Sequence, residues 1–219
     1  MTKPDFHIVY ATREDLPAIA DIHKQGFPDS FSTQLGKTFR EKMLEWYFST
    51  DKTFILVAKT EDGRVAGYVT GMVQDGVLKT GSASGMAQYS FNQGIISFAL
   101  RPWLLFHKEI RRKFKFILRN IKRRFGTNRS EKPTINTAPE KASLGLVIIA
   151  VANNFAGMGV GGALMREFER VAVADYHIPD VYLTVEVHNL RAIKTYEKAG
   201  WTQMVQEGGS FRYGKHLTM

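Results

Sequence analysis

The sequence predicts a mixed α/β fold, and three observations indicate it. Apolar, β-branched runs of strand length alternate along the chain with stretches whose apolar residues recur every three or four positions. A hairpin signal, Glu61-Asp62-Gly63, joins two of the strand-like runs. The 219 residues, 44% of them hydrophobic, suffice for one domain with an elaboration.

The first half of the chain is predicted to supply three strands and two helices. The first helix opens at Thr12, with Asp15 three residues on in the arrangement of a capping box. The second helix is expected from about residue 38 to residue 48. The predicted strands cover residues 6–11, 53–58 and 65–73.

The most informative stretch reads as a buried strand, a glycine-rich turn and an amphipathic helix. The strand covers residues 144–151, and four glycines then fall within six residues: Gly157, Gly159, Gly161 and Gly162. Because glycine has no Cβ, the backbone N–H groups of such a turn can approach a ligand closely. The first turn of the helix adds unpaired N–H groups and the positive end of the helix dipole. This combination predicts a site for phosphate or pyrophosphate.

Two other glycine-rich phosphate sites do not fit this stretch. A P-loop requires Gly-Lys-Ser/Thr at the end of its turn, and no lysine follows these glycines. A dinucleotide-binding fold places its glycines after the first strand, with an acidic residue at the tip of the second. Here the turn lies past the middle of the chain, and Asp175 and Asp180 flank a predicted loop. A tight turn needed only for packing is the remaining alternative.

A second motif follows the glycine turn. Residues 181–187 alternate like a strand and are rich in β-branched side chains. A short helix comes next, with Asn189 as its N-cap and Gly200 at its end. Ala192 and Tyr196 lie four positions apart and therefore share one face of this helix.

Together, the two stretches resemble the GNAT superfamily of acyl-CoA-dependent N-acyltransferases. The cofactor motif of that family, Arg/Gln-x-x-Gly-x-Gly/Ala after a strand ending in Val, is matched by Val151, Gly159 and Gly161. Ala156 stands where the family has Arg or Gln. The second family motif, Val-x-x-x-Asn-x-x-Ala-x-x-x-Tyr-x-x-x-Gly-Phe, is matched by Val185, Asn189, Ala192, Tyr196 and Gly200, with Trp201 for Phe.

The resemblance implies a mainly antiparallel, splayed sheet flanked by helices, with acetyl-CoA as co-substrate. Backbone N–H groups of the turn are expected to hold the pyrophosphate, and those near the strand end to hold the thioester carbonyl. The expected cofactor-binding residues are Ala150, Val151, Ala156, Gly157, Met158, Gly159, Gly161, Gly162 and Asn189. Asn189 is expected to bond the pantetheine arm or a water, unless it serves only as a helix cap.

Acyl transfer needs an amine that has lost its proton and an acid that protonates the departing thiolate. The resemblance implies that Tyr196 is this acid. Glu186 is the expected catalytic base, with His188 on the same strand face by the period of two, or a water relay, as alternatives. The resemblance also places the acceptor amine between the first helices and the sheet, where Phe27, Phe31 and Phe39 line a pocket or belong to the core.

Residues 76–142 form an insertion in this fold, and the insertion carries the net charge of the chain. Its first part, residues 81–100, has no charged residue and is expected to pack on the domain. The second part, residues 101–125, is predicted to be a basic amphipathic helix. Residues 101–124 hold ten Lys or Arg and one acidic residue, whereas the rest of the chain holds 20 of each sign.

Three interpretations of this basic helix stay open. It docks its apolar face on the domain, it lies on an anionic membrane surface, or it gathers an acidic acceptor or a protein partner. Nucleic acid is not expected, because no sequence-reading motif accompanies the charge.

Composition limits the kinds of binding site and of cellular location that we expect for this chain. Cysteine is absent, which excludes disulfides and Cys-ligated metals, and the six histidines are dispersed, so no metal site is expected. Neither a signal peptide nor a membrane span is predicted. We expect a cytoplasmic monomer or homodimer, either free or peripheral at the inner membrane face.

The sequence thus favours an acetyl-CoA-dependent N-acetyltransferase. A nucleotide-linked amino sugar or other envelope precursor is the favoured acceptor, because a positive helix suits an anionic or membrane-borne substrate. A protein N-terminus or a small amine is the rival acceptor. A non-catalytic CoA-binding or membrane-docking module is the alternative from another functional class.

Overall fold

The computed structural model describes residues 5–74, 82–100, 103 and 141–218. Within these ranges the strands form one seven-stranded sheet in the order β1-β2-β3-β4-β5-β7-β6. The strands are Phe6–Tyr10 (β1), Thr53–Thr60 (β2), Val65–Gln74 (β3), Ser143–Val151 (β4), Asp180–Glu186 (β5), Thr202–Glu207 (β6) and Ser210–His216 (β7). The helices are Leu16–Gly26 (α1), Phe31–Gln34 (α2), Lys37–Glu45 (α3), Ser82–Tyr89 (α4), Phe91–Leu100 (α5), Val160–Ala174 (α6) and Leu190–Lys198 (α7).

The sheet is mixed and mainly antiparallel, as predicted. Every neighbouring pair of strands is antiparallel except β4 and β5, which run parallel. These two pair over a short stretch, Leu144–Leu146 of β4 with Val181–Leu183 of β5. Beyond it β4 continues to Val151 along β3 alone, so the sheet opens between β4 and β5.

Helices cover both faces of the sheet. Gly26 of α1 lies against the side chain of Ala150, since a Cβ at this glycine would be 3.2 Å from the Ala150 Cβ. Val151, the next residue, points to the other face, and a Cβ at Gly161 of α6 would be 3.6 Å from its Cγ2. α6 and α7 share this second face, because Tyr213 and Lys215, alternate residues of β7, bond Glu197 of α7 and Glu169 of α6 respectively.

The N-terminal elements follow the sequence prediction closely. The capping box is present, with the Thr12 N–H donating to the Asp15 carboxylate at 2.9 Å. A 3-10 turn at Arg13–Asp15 leads into α1, and another at Trp46–Phe48 continues α3. Phe39 is buried, while Phe27 and Phe31 are half-buried and pack against the core.

The charge-free segment packs on the domain, as expected, and it does so as two helices. Ser90, between α4 and α5, is buried and donates its hydroxyl to the Met86 carbonyl at 2.7 Å. Gly94 of α5 lies against the Phe39 ring of α3, and Phe98 lies beside Phe31 with ring centroids 6.3 Å apart.

The basic helix predicted over residues 101–125 lies outside the described residues, apart from Trp103, which is 62% exposed. The rest of the 76–142 insertion is described for residues 82–100 and 141–142. In the described ranges, none of the helices has the length and apolarity that crossing a bilayer requires.

Candidate active site

The glycine turn places two residues in the left-handed region of backbone space. Gly157 has a φ of 80° and Gly159 a φ of 86°, and side chains other than glycine adopt such angles at a cost. Gly159 is the N-cap of α6, and Gly161 and Gly162 lie in the first helical turn. A Cβ at Gly157 would meet no atom within 4 Å, so the turn faces open space there.

The first turn of α6 leaves backbone donors available. The Ala163 N–H donates to the Gly159 carbonyl at 3.0 Å and begins the helical ladder. The N–H groups of Val160, Gly161 and Gly162 precede it and find no acceptor within the helix. Three amides and the positive end of a 15-residue helix therefore point toward the same opening, as an anion site requires.

Two of the expected donors are already engaged inside the turn. The Ala156 N–H donates to the Asn153 carbonyl at 3.2 Å, and the Met158 N–H donates to the Phe155 carbonyl at 3.3 Å. Ala156 and Met158 therefore use their amides to shape the turn.

The end of β4 presents backbone donors to the opening between β4 and β5. The Ala152 N–H donates to the Ala66 carbonyl at 2.9 Å and the Ile148 N–H to the Thr70 hydroxyl at 3.0 Å, so both face β3. Since N–H directions alternate along a strand, the Val151 N–H faces the opening, as does that of Ile149. The Ala150 N–H faces β3, so Ala150 offers no donor to the opening, and its side chain lies against Gly26 of α1. The sequence alone did not single out Ile149, because this assignment needs the strand register.

The second motif forms the helix that follows β5. Asn189 caps α7, its side-chain oxygen accepting the Ala192 N–H at 3.2 Å. Tyr196 is 8% exposed, and burial raises its pKa to about 12. Its ring lies 6.4 Å from that of Trp201, which in turn lies 6.5 Å from the Phe168 ring of α6. This aromatic chain ties α7 to the glycine-turn helix.

The prediction that Glu186 and His188 share a strand face is wrong. β5 ends at Glu186, and His188 lies in a turn closed by the Asn189 N–H donating to the Glu186 carbonyl at 2.9 Å. The alternation of a strand therefore does not extend to His188. Both side chains are exposed, and Glu186 therefore lacks the burial by which a carboxylate base has its pKa raised.

A buried polar chain behind β4 was not foreseen from the sequence. Tyr68 of β3 lies directly opposite Ala150, and its hydroxyl is 2.7 Å from Nδ1 of His23. Nε2 of His23 is 3.0 Å from the Ser32 hydroxyl. Burial, with the nearby charge of Arg40, lowers the His23 pKa to about 4, so this imidazole is neutral at pH 7. The residues are 45 positions apart, and no local pattern pairs them.

Metal ligands do not cluster in the part of the chain that the structure describes. No group of three or more His, Asp or Glu side chains there could hold an ion.

The model of the acetyltransferase (GNAT) family matches residues 134–201. The match includes the glycine turn and the second motif, and it confirms the resemblance drawn from these residues. Among curated proteins, none matches this chain.

Solved structures share the fold over nearly the whole chain. The histone acetyltransferase HPA2 and related acetyltransferase from Corynebacterium glutamicum is 17% identical, with a TM-score of 0.55, and the likeness covers 98% of this chain and 97% of that one. The PaiA N-acetyltransferase from Thermoplasma acidophilum, in complex with coenzyme A, is 13% identical, with a TM-score of 0.55 and coverage of 97% and 99%. NAA60 from Arabidopsis thaliana, in complex with a bisubstrate analogue, is 14% identical, with a TM-score of 0.54 and coverage of 97% and 98%. The predicted fold class is thereby confirmed.

Proposed function

We propose that this chain is an acetyl-CoA-dependent N-acetyltransferase. It has the GNAT acetyltransferase fold and carries the segment that the family's model matches. The family uses acetyl-CoA, and the PaiA N-acetyltransferase was solved with coenzyme A. The observation that carries the proposal is the set of available N–H groups at the start of α6, beside the opened edge of β4.

The glycine turn binds the diphosphate of the co-substrate in this proposal. Gly157 and Gly159 bring the backbone close, and Gly161 and Gly162 leave the first helical turn without side chains that would block a ligand. The positive end of the α6 dipole favours the negative charge of the diphosphate.

The end of β4 holds the thioester. The Val151 N–H faces the opening and donates to the thioester carbonyl, which stabilises the negative charge that develops on its oxygen. The amine nitrogen forms a bond to the carbonyl carbon, the carbon–sulfur bond breaks, and the sulfur leaves with the electron pair. Tyr196 supplies the proton that the thiolate needs, since a buried phenol with a pKa of about 12 is protonated at pH 7.

The attacking amine must give its proton to a base. Glu186 lies at the end of β5, where it can take this proton through a water, and a relay of waters without a fixed side chain is the alternative. The Asn189 side-chain oxygen is engaged as the helix cap, which leaves its NH₂ group to donate to the pantetheine arm or to a water.

A nucleotide-linked amino sugar or another envelope precursor is the acceptor we favour. The support for this class is the positive charge of residues 101–124, which would attract an anionic acceptor or an anionic membrane that carries it. The same charge supports a peripheral position at the inner membrane face. A protein or small-amine acceptor is the alternative.

Gly159→Glu tests the cofactor site. The new carboxylate would occupy the opening and repel the diphosphate, so CoA affinity measured by calorimetry should fall at least about tenfold. Gly63→Glu is the matched control, because Gly63 also has a left-handed φ, of 80°, and open space around it, but lies in the β2–β3 hairpin. Unchanged CoA affinity in Gly159→Glu would overturn the assignment.

Turnover separates the enzyme from a non-catalytic CoA-binding module. Release of free CoA thiol from acetyl-CoA is measured against a panel of amino sugars, peptides and polyamines. Acceptor-dependent release supports the proposed activity, and tight CoA binding without release on any amine favours the binding module.

A further inference from the structure

A cavity of about 540 Å³ opens at the far end of α6 from the glycine turn. It lies between the end of β1, the start of β2 and the C-terminus of α6, and five aromatic residues line it: Tyr10, Tyr47, Phe48, Phe54 and Tyr176. A helix of 15 residues is about 22 Å long, so this cavity is separate from the proposed cofactor site.

Three hydroxyl groups of this cavity, those of Tyr10, Thr53 and Tyr176, donate hydrogen bonds to other groups of the chain. The Tyr10 hydroxyl donates to the Asp175 carboxylate at 2.6 Å, and the Tyr176 hydroxyl donates to the Asp51 carbonyl at 3.0 Å. The Thr53 hydroxyl donates to the Tyr47 carbonyl at 3.0 Å. Toward the cavity, these three oxygens can therefore only accept, which favours a ligand that supplies donors or positive charge.

The negative charge around the cavity also favours a ligand with positive charge. Asp51 and Asp175 are among its lining residues, and the negative end of the α6 dipole lies at its edge. Burial and the Asp175 carboxylate raise the pKa of Tyr10, which keeps this phenol protonated in the hydrogen bond.

Two cations of the chain approach the rim. Arg170 Nη1 is 3.5 Å from the Asp175 carboxylate, and the Arg13 guanidinium carbon is 5.6 Å from the centroid of the Phe48 ring. The rim thus already attracts one cation through a carboxylate and another through the face of an aromatic ring.

The rings form a fixed wall. Phe54 is buried and stacks on Tyr176 with centroids 5.3 Å apart, and its edge meets Tyr10 at 6.0 Å. The αL conformation of His177, with a φ of 55°, turns the chain out of α6 so that the Ile178 N–H reaches the Ala172 carbonyl at 2.8 Å. This turn holds Tyr176 over Phe54.

We infer that this cavity binds a small organic ammonium ion, with its charge against Asp51 and Asp175 and its apolar body among the rings. Ring faces attract such cations, and carboxylates at the rim add a Coulombic term. The inference does not depend on the proposed acetyl transfer, because it uses neither the glycine turn nor the end of β4.

Choline and its neutral isostere 3,3-dimethylbutan-1-ol are the probes, with binding to the full chain measured by calorimetry. A quaternary nitrogen cannot be acylated, so choline binding is read apart from any acceptor activity. Choline is expected to bind at millimolar concentrations or below, and the isostere about tenfold more weakly or worse.

Variants locate the binding. Asp175→Asn keeps an oxygen for the Tyr10 hydroxyl, and Asp51→Asn changes the second carboxylate; each should weaken choline binding roughly fivefold or more. Asp62→Asn, in the exposed β2–β3 hairpin, is the matched control and should change nothing. CoA affinity should be equal in all three variants, which also shows that they fold.

Three results would overturn the inference. They are equal affinity for choline and its isostere, no choline binding at millimolar concentrations, or unchanged choline affinity in both Asp51→Asn and Asp175→Asn. Loss of CoA binding in Gly159→Glu with choline binding retained would show that the two sites are independent.

Discussion

Tyr196 is the residue to which the proposed mechanism assigns the role of acid. Replacement by Phe removes the hydroxyl and keeps the ring beside Trp201. If Tyr196 protonates the thiolate, Tyr196→Phe should lower kcat by roughly tenfold or more while CoA affinity stays the same. Steady-state rates and calorimetry measure the two quantities.

Tyr213→Phe provides the comparison for Tyr196→Phe. Tyr213 of β7 is also buried, but its hydroxyl donates to the Glu197 carboxylate at 2.8 Å. Because this hydroxyl has no role in the proposed mechanism, kcat should be retained. An undiminished rate in Tyr196→Phe, or an equal loss in both variants, contradicts the assigned role.

His23 should make the fold sensitive to acid. Its pKa is about 4 in the folded chain against 6.5 in a free imidazole, so the unfolded chain binds the extra proton first as pH falls. The stability that neutral His23 contributes is complete above about pH 6.5 and is lost as pH falls toward 4. The loss amounts to roughly 3 kcal/mol.

Urea unfolding at pH 7 and pH 4.5 measures this effect. His23→Gln keeps hydrogen-bonding groups beside Tyr68 but cannot titrate, so its stability should fall less between the two pH values than that of the native chain. His7→Gln, on an exposed position of β1, should behave as the native chain does. Equal pH dependence in all three proteins would be evidence against the buried neutral imidazole.

At the scale of single residues, prediction from sequence succeeded where the signal is local. The Asn189 cap, the helix end at Gly200 and the Thr12–Asp15 box all depend on neighbours within a few positions. The His23–Tyr68 pair depends on how the chain closes in three dimensions. No local pattern carries that information.

Among the elements, β3 contains a glycine that the packing requires. A Cβ at Gly71 would lie 2.2 Å from Cζ of Phe54, whose ring is held between Tyr176 and Phe168. Gly71→Ala should therefore lower the free energy of unfolding by roughly 1–3 kcal/mol, measured in urea.

Gly209→Ala is the control for the Gly71 prediction. Gly209 lies between β6 and β7, a Cβ there would meet no atom within 4 Å, and its φ is not in the left-handed region. Its replacement should change stability by less than about 0.5 kcal/mol. Equal stability of Gly71→Ala and Gly209→Ala would show that Phe54 can move aside.

The elements themselves were predicted best where periodicity and capping agree. The strand before the glycine turn is one example, since β4 begins one residue before the predicted strand and ends where predicted. α4 and α5 were expected to pack but not as helices, because the segment has no charged residue to mark a polar face or helix ends. Contacts with α3 and Phe31, rather than local sequence, stabilise them there.

On the scale of the whole molecule, the positive charge is concentrated in one segment. If residues 101–124 draw the chain to a membrane, it should float with vesicles of phosphatidylglycerol and not with vesicles of phosphatidylcholine alone. Flotation should weaken as salt rises.

A variant with the ten Lys and Arg of residues 101–124 changed to Gln keeps the length of the chain and should not float. CoA affinity serves as the measure that this variant is folded. Flotation of the variant with anionic vesicles would show that the positive charge is not what binds them.

The parting of β4 from β5 leaves peptide groups, rather than side chains, as the surface that faces the opening. A peptide group is chemically the same whichever amino acid supplies it. A cleft built from main chain can therefore persist through extensive sequence drift, and this chain shares its architecture with proteins only 13–17% identical to it. The same reliance on main-chain groups explains why alanine can stand at position 156 without disturbing the turn. Evolution can change the residues around such a cleft while its hydrogen-bonding surface stays unchanged.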